Sequence, residues 1–427
     1  MKKKNLLFKN NSTFIENSLF LLFLIFPITI LLGNLLINLI IFSISLIFII
    51  SIIFKKINFD LNNKIFVLLI FFFISLLINL IFSDNYLLSY ARIIKIFFII
   101  FFIFAFKYIL NNINNYQENL IYKFWSIIFT IVLIDLIIEF FTGSNLFGQT
   151  AIMSDYRLGS FTGKESVIGN YFYGFVLIFL SYFYKNNPNK KFSNFALALF
   201  LIIISFLIGE RSNFIKTFII VISFSFFVYE IKLKFKILSI LVLLLIVVSF
   251  LNFSKEEGSI YQGYKLRYFT QVSKIFEKNG IRQYLDSSQY GAHYKVATEI
   301  FKENPIFGVG IKNFRVESFK KKYDDLDHPF NEQRGNTHPH QIHYEFLSET
   351  GLFGYFSFLI FILFSIYYSI KSYLKTKNFY QFSGLLFVIS CLLPLLPSGS
   401  FFSTYTSSIF WINYALMVGY IEPKIKN

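Results

Sequence analysis

Cysteine is nearly absent from this chain of 427 residues: Cys391 stands alone, inside an apolar run. A single thiol allows no internal disulfide and no cysteine metal site. Charged residues are sparse, at 15%. No glycine-rich phosphate loop occurs. The "GVG" at 308–310 is too short for a nucleotide fingerprint and reads as a turn. No clear repeat and no low-complexity linker breaks the chain. The start, "MKKKNLLFKNNSTFIENSLFLLFLIF", is basic and then apolar, as a signal peptide is. It lacks a small-residue cleavage site before the next apolar run, so the expectation is an uncleaved first helix.

What the chain holds instead is apolar surface. Hydrophobic residues make up 55% and aromatic residues 21%, with a mean hydropathy of +0.59. These values exclude an ordinary soluble domain and predict an all-α polytopic membrane protein. Apolar runs fall at roughly 15–33, 35–54, 65–82, 93–110, 122–141, 167–184, 194–209, 214–229, 235–253, 354–371, 380–397 and 401–421. Each is expected to be a helix, because backbone polar groups in lipid must be satisfied within the segment. The expectation is therefore about 12 spans, organised as helices over 1–253, one large loop over 254–353 and closing helices over 354–427.

The formal charge of +16 suggests nucleic acid until the charges are placed. With the first lysines in the cytoplasm, alternate loops carry Lys55, Lys56 and Lys64; Lys107 and Lys123; Lys185, Lys190 and Lys191; Lys232, Lys234 and Lys236; Lys371, Lys375 and Lys377; and Lys424 with Lys426. The opposite short loops are poor in lysine, as the positive-inside rule requires. The excess is topological, and both termini are expected in the cytoplasm. The large loop faces outward and is nearly charge-balanced, which argues against a nucleic-acid partner. Its "KKKYDDLD" cluster reads as a solvated turn.

Polar groups collect on the outer side. Three of the five histidines lie within "HPHQIHYEFLSETGLFG", His338 to Gly354. Thr337 is expected to cap a helix with Pro339 in its first turn, on which His340 and His343 are neighbours. Gly351 is expected to end it. Upstream, "SQYGAHYKVATEIFKENPIFGVG" predicts an amphipathic helix with Tyr290, Tyr294, Ala297 and Phe301 on one face. Arg211 opens "RSNFIK"; it either forks onto a lipid phosphate or snorkels and pairs with Glu210. Arg157, Lys164 and Glu165 sit in another outer loop, with Arg92 and Lys95 at the start of the fourth run. Asp135 and Glu139 are intramembrane carboxylates, either functional or paired with Arg92 or Lys95. Three readings stand open for the histidines: a metal site, packing or headgroup contact, and a general base.

These residues resemble the O-antigen ligase family, within the O-antigen ligase and polymerase superfamily. The carrying motif is a histidine, then Asn, Ser or Gln, then nine residues, then G-x-x-G. Here it is His340-Gln341, nine residues, and Gly351 to Gly354. Arg211 in "GERSNFIK", Arg157 with Glu165 and Gly169 in "RLGSFTGKESVIGNY", and the "NPIFGVGIKNF" turn look like further family features. One departure stands out. Many members carry an arginine ahead of that turn, where this chain has His293 and Lys295, with Arg282 further back. Lysine binds phosphate as a point charge, not bidentately.

The resemblance implies a GT-C-like glycosyltransferase of the bacterial inner membrane with a periplasmic active site. It implies an inverting, metal-independent transfer with no cofactor. The donor would be a glycan on undecaprenyl diphosphate and the acceptor a sugar hydroxyl of lipid A-core. His340 would take the acceptor proton. Arg157, Arg211 and Lys295 would hold the diphosphate. His338, Gln341, His343, Glu165, Gly351 and Gly354 would support the site. The rival readings are an O-antigen polymerase, a protein O-oligosaccharyltransferase and a polysaccharide transporter. Ionisable groups at the ends of spans, not at the midplane, speak against transport.

Overall fold

The computed structural model describes residues 14–150, 157–165, 167–252, 264, 268 and 280–421. The described residues form helices and one isolated bridge between Ser144 and Thr150, with no strand among them. The first nine helices are α1 (Phe14–Leu32), α2 (Asn34–Ile53), α3 (Lys64–Ile81), α4 (Tyr86–Asn112), α5 (Asn115–Thr142), α6 (Ile168–Asn186), α7 (Lys191–Leu207), α8 (Arg211–Val228) and α9 (Leu233–Asn252). The loop contributes α10 (Gly280–Ser287), α11 (Gln289–Glu303) and the single turn α12 (Phe314–Glu317). The chain then closes with α13 (Ile342–Thr376), α14 (Phe379–Cys391) and α15 (Thr404–Gly419).

The twelve apolar runs each overlap a helix, but the run over 380–397 outlasts α14, which ends at Cys391, and the run over 401–421 begins before α15. Among the described residues, seven helices are long and apolar enough to cross a bilayer: α1 to α5, α8 and α13. The helices α7 and α14 are apolar but shorter. Residues 253–263 and the residues after 421, with Lys424 and Lys426, lie outside the described residues.

Lipid tails are as apolar as leucine, so helix association rests on packing and on hydrogen bonds between spans. This chain uses both. Phe72 of α3 stacks on Phe361 of α13 at 4.8 Å, and Tyr122 of α5 on Tyr380 of α14 at 3.6 Å. Small hydroxyls meet where helices touch. Ser75 of α3 bonds Ser357 of α13 at 2.5 Å, and Ser181 of α6 bonds Ser383 of α14 at 2.6 Å. The Asn413 amide of α15 donates to the Gly174 carbonyl of α6 at 3.0 Å. Each such bond contributes about 0.6 kcal/mol. They fix which faces meet, and α13 lies against α3 while α15 lies against α14 and α4.

The loop is tied to one end of this bundle by its backbone. Asp84 N–H, before α4, donates to Val309 O, and the Asn79 amide of α3 donates to Phe307 O at 2.6 Å. The "NPIFGVG" segment runs beside the start of α13. Val309 and Gly310 donate to Ser348 O and Glu349 O, while Leu352 and Phe353 donate to Pro305 O and Ile306 O. Only glycine permits this crossing. Gly351 has φ +62°, and a Cβ there would lie 2.4 Å from Ile306 backbone atoms. Gly308, at φ +66°, would place a Cβ 2.5 Å from the Glu349 carbonyl carbon. Gly351 thus breaks α13 into a short limb, 342–350, and a long limb. Phe346 and Phe358, stacked at 4.2 Å, bridge the break.

Candidate active site

The histidine segment folds differently from the expectation. Thr337 caps no helix, and Pro339 lies outside one. The cap of α13 is Gln341, whose Oε1 accepts from His343 N at 2.7 Å and Tyr344 N at 3.1 Å. His340 precedes the cap in the left-handed region, at φ +57°. It is therefore not a helical neighbour of His343. The reason is that Gln341 satisfies two of the helix's free amides itself, so the helix begins after it.

This turn sends the two histidines to different places. His343 is fully engaged: its Nε2 bonds Leu392 O at 2.9 Å and its Nδ1 bonds the Tyr355 hydroxyl at 3.0 Å. It ties the short limb of α13 to the end of α14. His340 instead enters a group of rings. Its centroid lies 4.1 Å from His338, 5.3 Å from His293 and 5.5 Å from Tyr290. His338 is held by the Thr337 hydroxyl at 3.0 Å and by Ser398 O at 3.4 Å. His293, buried on α11, is held by Arg334 O at 3.0 Å. The ring of His340 has no hydrogen-bond partner among the described residues, and its backbone is pinned by Ser398 N donating to His340 O at 2.7 Å. A fixed backbone with an unpartnered imidazole suits proton transfer to an incoming group.

The electrostatics favour neutral rings. Burial pulls His340 down to about 4, and His293 and Arg157 add to the shift. Burial also lowers His338, with His340 adding, and lowers His293. Among the described residues, no group of three or more His, Cys, Asp or Glu side chains is arranged to hold a metal ion.

Arg157 comes close enough for its charge to be felt at His340, and its buried Nε has no hydrogen-bond partner. Its loop is held by the two intramembrane carboxylates. Glu139 accepts from Gly159 N at 3.1 Å and Ser160 N at 2.7 Å; Asp135 accepts from the Ser160 hydroxyl at 2.5 Å and Leu146 N at 2.7 Å. These carboxylates pair with backbone and a hydroxyl, not with Arg92 or Lys95. Charged acceptors of amide N–H groups make strong bonds, and here they position the arginine's segment.

Arg211 is the first residue of α8 and its charge reaches Tyr284, which neighbours Tyr290. Glu210 accepts from Gly169 N at 2.8 Å and from the Asn213 amide. A Cβ on Gly169 would lie 2.6 Å from that carboxylate, which accounts for the glycine. Glu165 is exposed, and its charge reaches Tyr405.

Lys295 is not brought to His340. It stands two residues after His293, on the other side of α11, and bridges Asp286 at 3.2 Å and Asp325 at 3.3 Å. It borders a cavity of about 340 Å³ shared with Lys322, His328 and Arg334. Arg282, further back, is exposed and 3.7 Å from Asp286. The buried face of α11 comprises Gly291, Ala292, His293, Tyr294, Val296, Ala297 and Ile300; Tyr290 and Phe301 are half-buried. That face is rotated from the expected one because the helix packs against α13.

Several site residues gave no signal in the sequence. The turn at 397–401 is the chief one. Ser398 contacts both His338 and His340 through its backbone. Lys216 of α8 donates to Pro397 O at 3.0 Å. Ser400 joins the buried pair Lys312 and Glu345, whose charges lie 3.9 Å apart, by bonding both. Glu345 also accepts from Phe401 N at 2.8 Å.

Seven helices long and apolar enough to cross a bilayer, packed through buried hydroxyls, define a polytopic membrane protein, with a histidine and an arginine held at one end of the bundle. Residues 195–359 match the family model described as O-antigen ligase. The match contains Arg211, His293, Lys295, the glycine crossing and His340. A search of curated proteins gives no match to the chain. The family comprises glycosyltransferase-like enzymes of O-antigen and lipopolysaccharide pathways, in which ligases and polymerases share one domain.

Proposed function

We propose that this protein is an O-antigen ligase. It transfers a glycan from undecaprenyl diphosphate to a sugar hydroxyl of lipid A-core, at the periplasmic face of the inner membrane. The observation that carries the reading is His340: a neutral, unpartnered imidazole within the field of Arg157, at the histidine of the family motif.

The acceptor hydroxyl attacks the anomeric carbon from the side opposite the diphosphate. A new carbon–oxygen bond forms as the old one breaks, inverting the centre, and the diphosphate leaves with the electron pair. His340 takes the hydroxyl proton at a ring nitrogen. Arg157 and Arg211 hold the charge that develops on the leaving diphosphate. The two roles are coupled. Bound diphosphate offsets the positive charge of Arg157, so donor binding raises the basicity of His340. The base thus strengthens when the donor is in place. His338 and Tyr290 confine the ring, and Gln341 fixes where the helix behind it begins.

The test is lipopolysaccharide from a deletion strain complemented with wild type or His340→Ala. Bare lipid A-core in the deletion, with long glycan accumulating on the lipid carrier, is expected. Loss of a general base costs about 100-fold or more, so His340→Ala should resemble the deletion while inserting normally. Core carrying a single repeat unit would instead identify a polymerase.

A further inference from the structure

Where α2 and α4 meet the loop lies a cavity of about 470 Å³. Arg92 and Lys95 enter it from α4, and Lys312 and Arg315 from the loop. No acidic side chain lines it among the described residues. The nearest carboxylates identified are Glu345, 3.9 Å from Lys312 Nζ, and Glu349, whose charge Lys312 also feels. Both are buried in α13 behind that lysine.

Four cations in one cavity are costly unless something answers them. The protein answers three of them poorly, while Lys312 is met by Ser400 and Glu345. Lys95 Nζ and Arg315 Nε are buried without a hydrogen-bond partner. Arg92 makes one long bond, from Nη1 to the Thr404 hydroxyl at 3.4 Å. Arg92 and Arg315 also repel Lys312. The walls are of another kind. Phe42 of α2 and Ile94 of α4 line the cavity and are 43% and 51% exposed on the outer surface of the bundle. A polar, cationic pocket therefore opens beside an apolar groove between two membrane-crossing helices.

We propose that this cavity binds a phosphate group, carried by a lipid whose chains lie in the groove between α2 and α4. Two guanidinium groups can fork onto phosphate oxygens while two ammonium groups add point charge. The apolar walls take the chains. This site is separate from His340, yet connected to it: Lys312 bonds Ser400, two residues from the Ser398 that pins His340. In the transfer reaction the site would anchor a second phosphorylated lipid reactant. That role rests on the ligase reading; the binding does not.

The experiment is native mass spectrometry of the full chain in dodecyl maltoside, titrated with dioleoyl phosphatidate or dioleoyl phosphatidylcholine. Phosphatidate should bind at least about tenfold more tightly than phosphatidylcholine, and Lys95→Gln with Arg315→Gln should lose one bound phosphatidate, a weakening of about tenfold or more. Lys95→Arg with Arg315→Lys keeps the charges and should retain binding. His340→Ala should leave binding unchanged, so a failed ligase reading and a failed lipid site are distinguishable. Millimolar inorganic phosphate that displaces phosphatidate would mark a free-phosphate site; no displacement marks the lipid headgroup. Equal binding of both lipids by wild type, or unweakened binding by the Gln pair, overturns the proposal.

Discussion

The rings of His338 and His340 stand 4.1 Å apart, and hydrogen bonds hold the first while the second has no partner among the described residues. Two adjacent imidazoles cannot both be charged cheaply, and burial adds to that cost. His340 is held near 4 against an ordinary 6.5, and His338 shifts the same way. The unfolded chain therefore takes up these protons first. Stability present above about pH 6.5 is lost as the pH falls toward 4. Thermal unfolding in detergent between pH 7.5 and 5 should show this fall, and His340→Gln should flatten it. An unchanged slope in that variant would show that other groups carry the pH dependence.

Glu139 acts on the chemistry from a distance. It holds Gly159 and Ser160, and through them the segment bearing Arg157. Glu139→Gln keeps one acceptor and should raise the donor KM about three- to tenfold with little change in kcat. Glu139→Ala should do worse on both counts. A fall in kcat alone would place Glu139 in the reaction itself.

Lys295 offers the opposite case. It bridges two half-exposed carboxylates, an arrangement that contributes about 0–1 kcal/mol to stability. Lys295→Met should leave transfer within about threefold of wild type, because a solvent-screened bridge on the side of α11 away from His293 adds little to either step. A loss matching that of Arg157→Gln would require the lysine to swing into the site when donor binds.

Gly351 tests the crossing. Its backbone lies where alanine is strained, and a methyl group would strike Ile306. Gly351→Ala should cost about 2–4 kcal/mol or block accumulation of folded protein. Gly143→Ala, also at positive φ but facing open space, should cost about 1 kcal/mol. Comparable melting temperatures for the two variants would mean the crossing relaxes.

The helices were legible because lipid imposes one requirement on every span, and an apolar run records it directly. The "NPIFGVG" turn and the Gly351 break were legible for a similar reason: glycine marks backbone geometry. The start of α13 differs from the expectation: Thr337 has the usual cap chemistry and glutamine does not, and only the packed structure puts Gln341 in that place. Lys312, Arg315, Ser398 and Ser400 were invisible as site residues. Their partners lie far away in sequence, as with Lys312 and Ser400, 88 positions apart. One sequence carries no record of such meetings. Asp135 and Glu139 were noticed as costly, but cost does not name the donor that offsets it.

The turn at 397–401 has a further consequence for transplanting this chemistry. The family match ends at residue 359, yet His340 is pinned by Ser398, Glu345 is satisfied by Ser400 and Phe401, and Arg157 arrives from upstream. The recognisable stretch is thus not a portable cassette. A chimera that grafts residues 195–359 into a foreign bundle would inherit the motif and lose the floor beneath it. Exchange between relatives should succeed only when the connector before the last helix travels with the histidine.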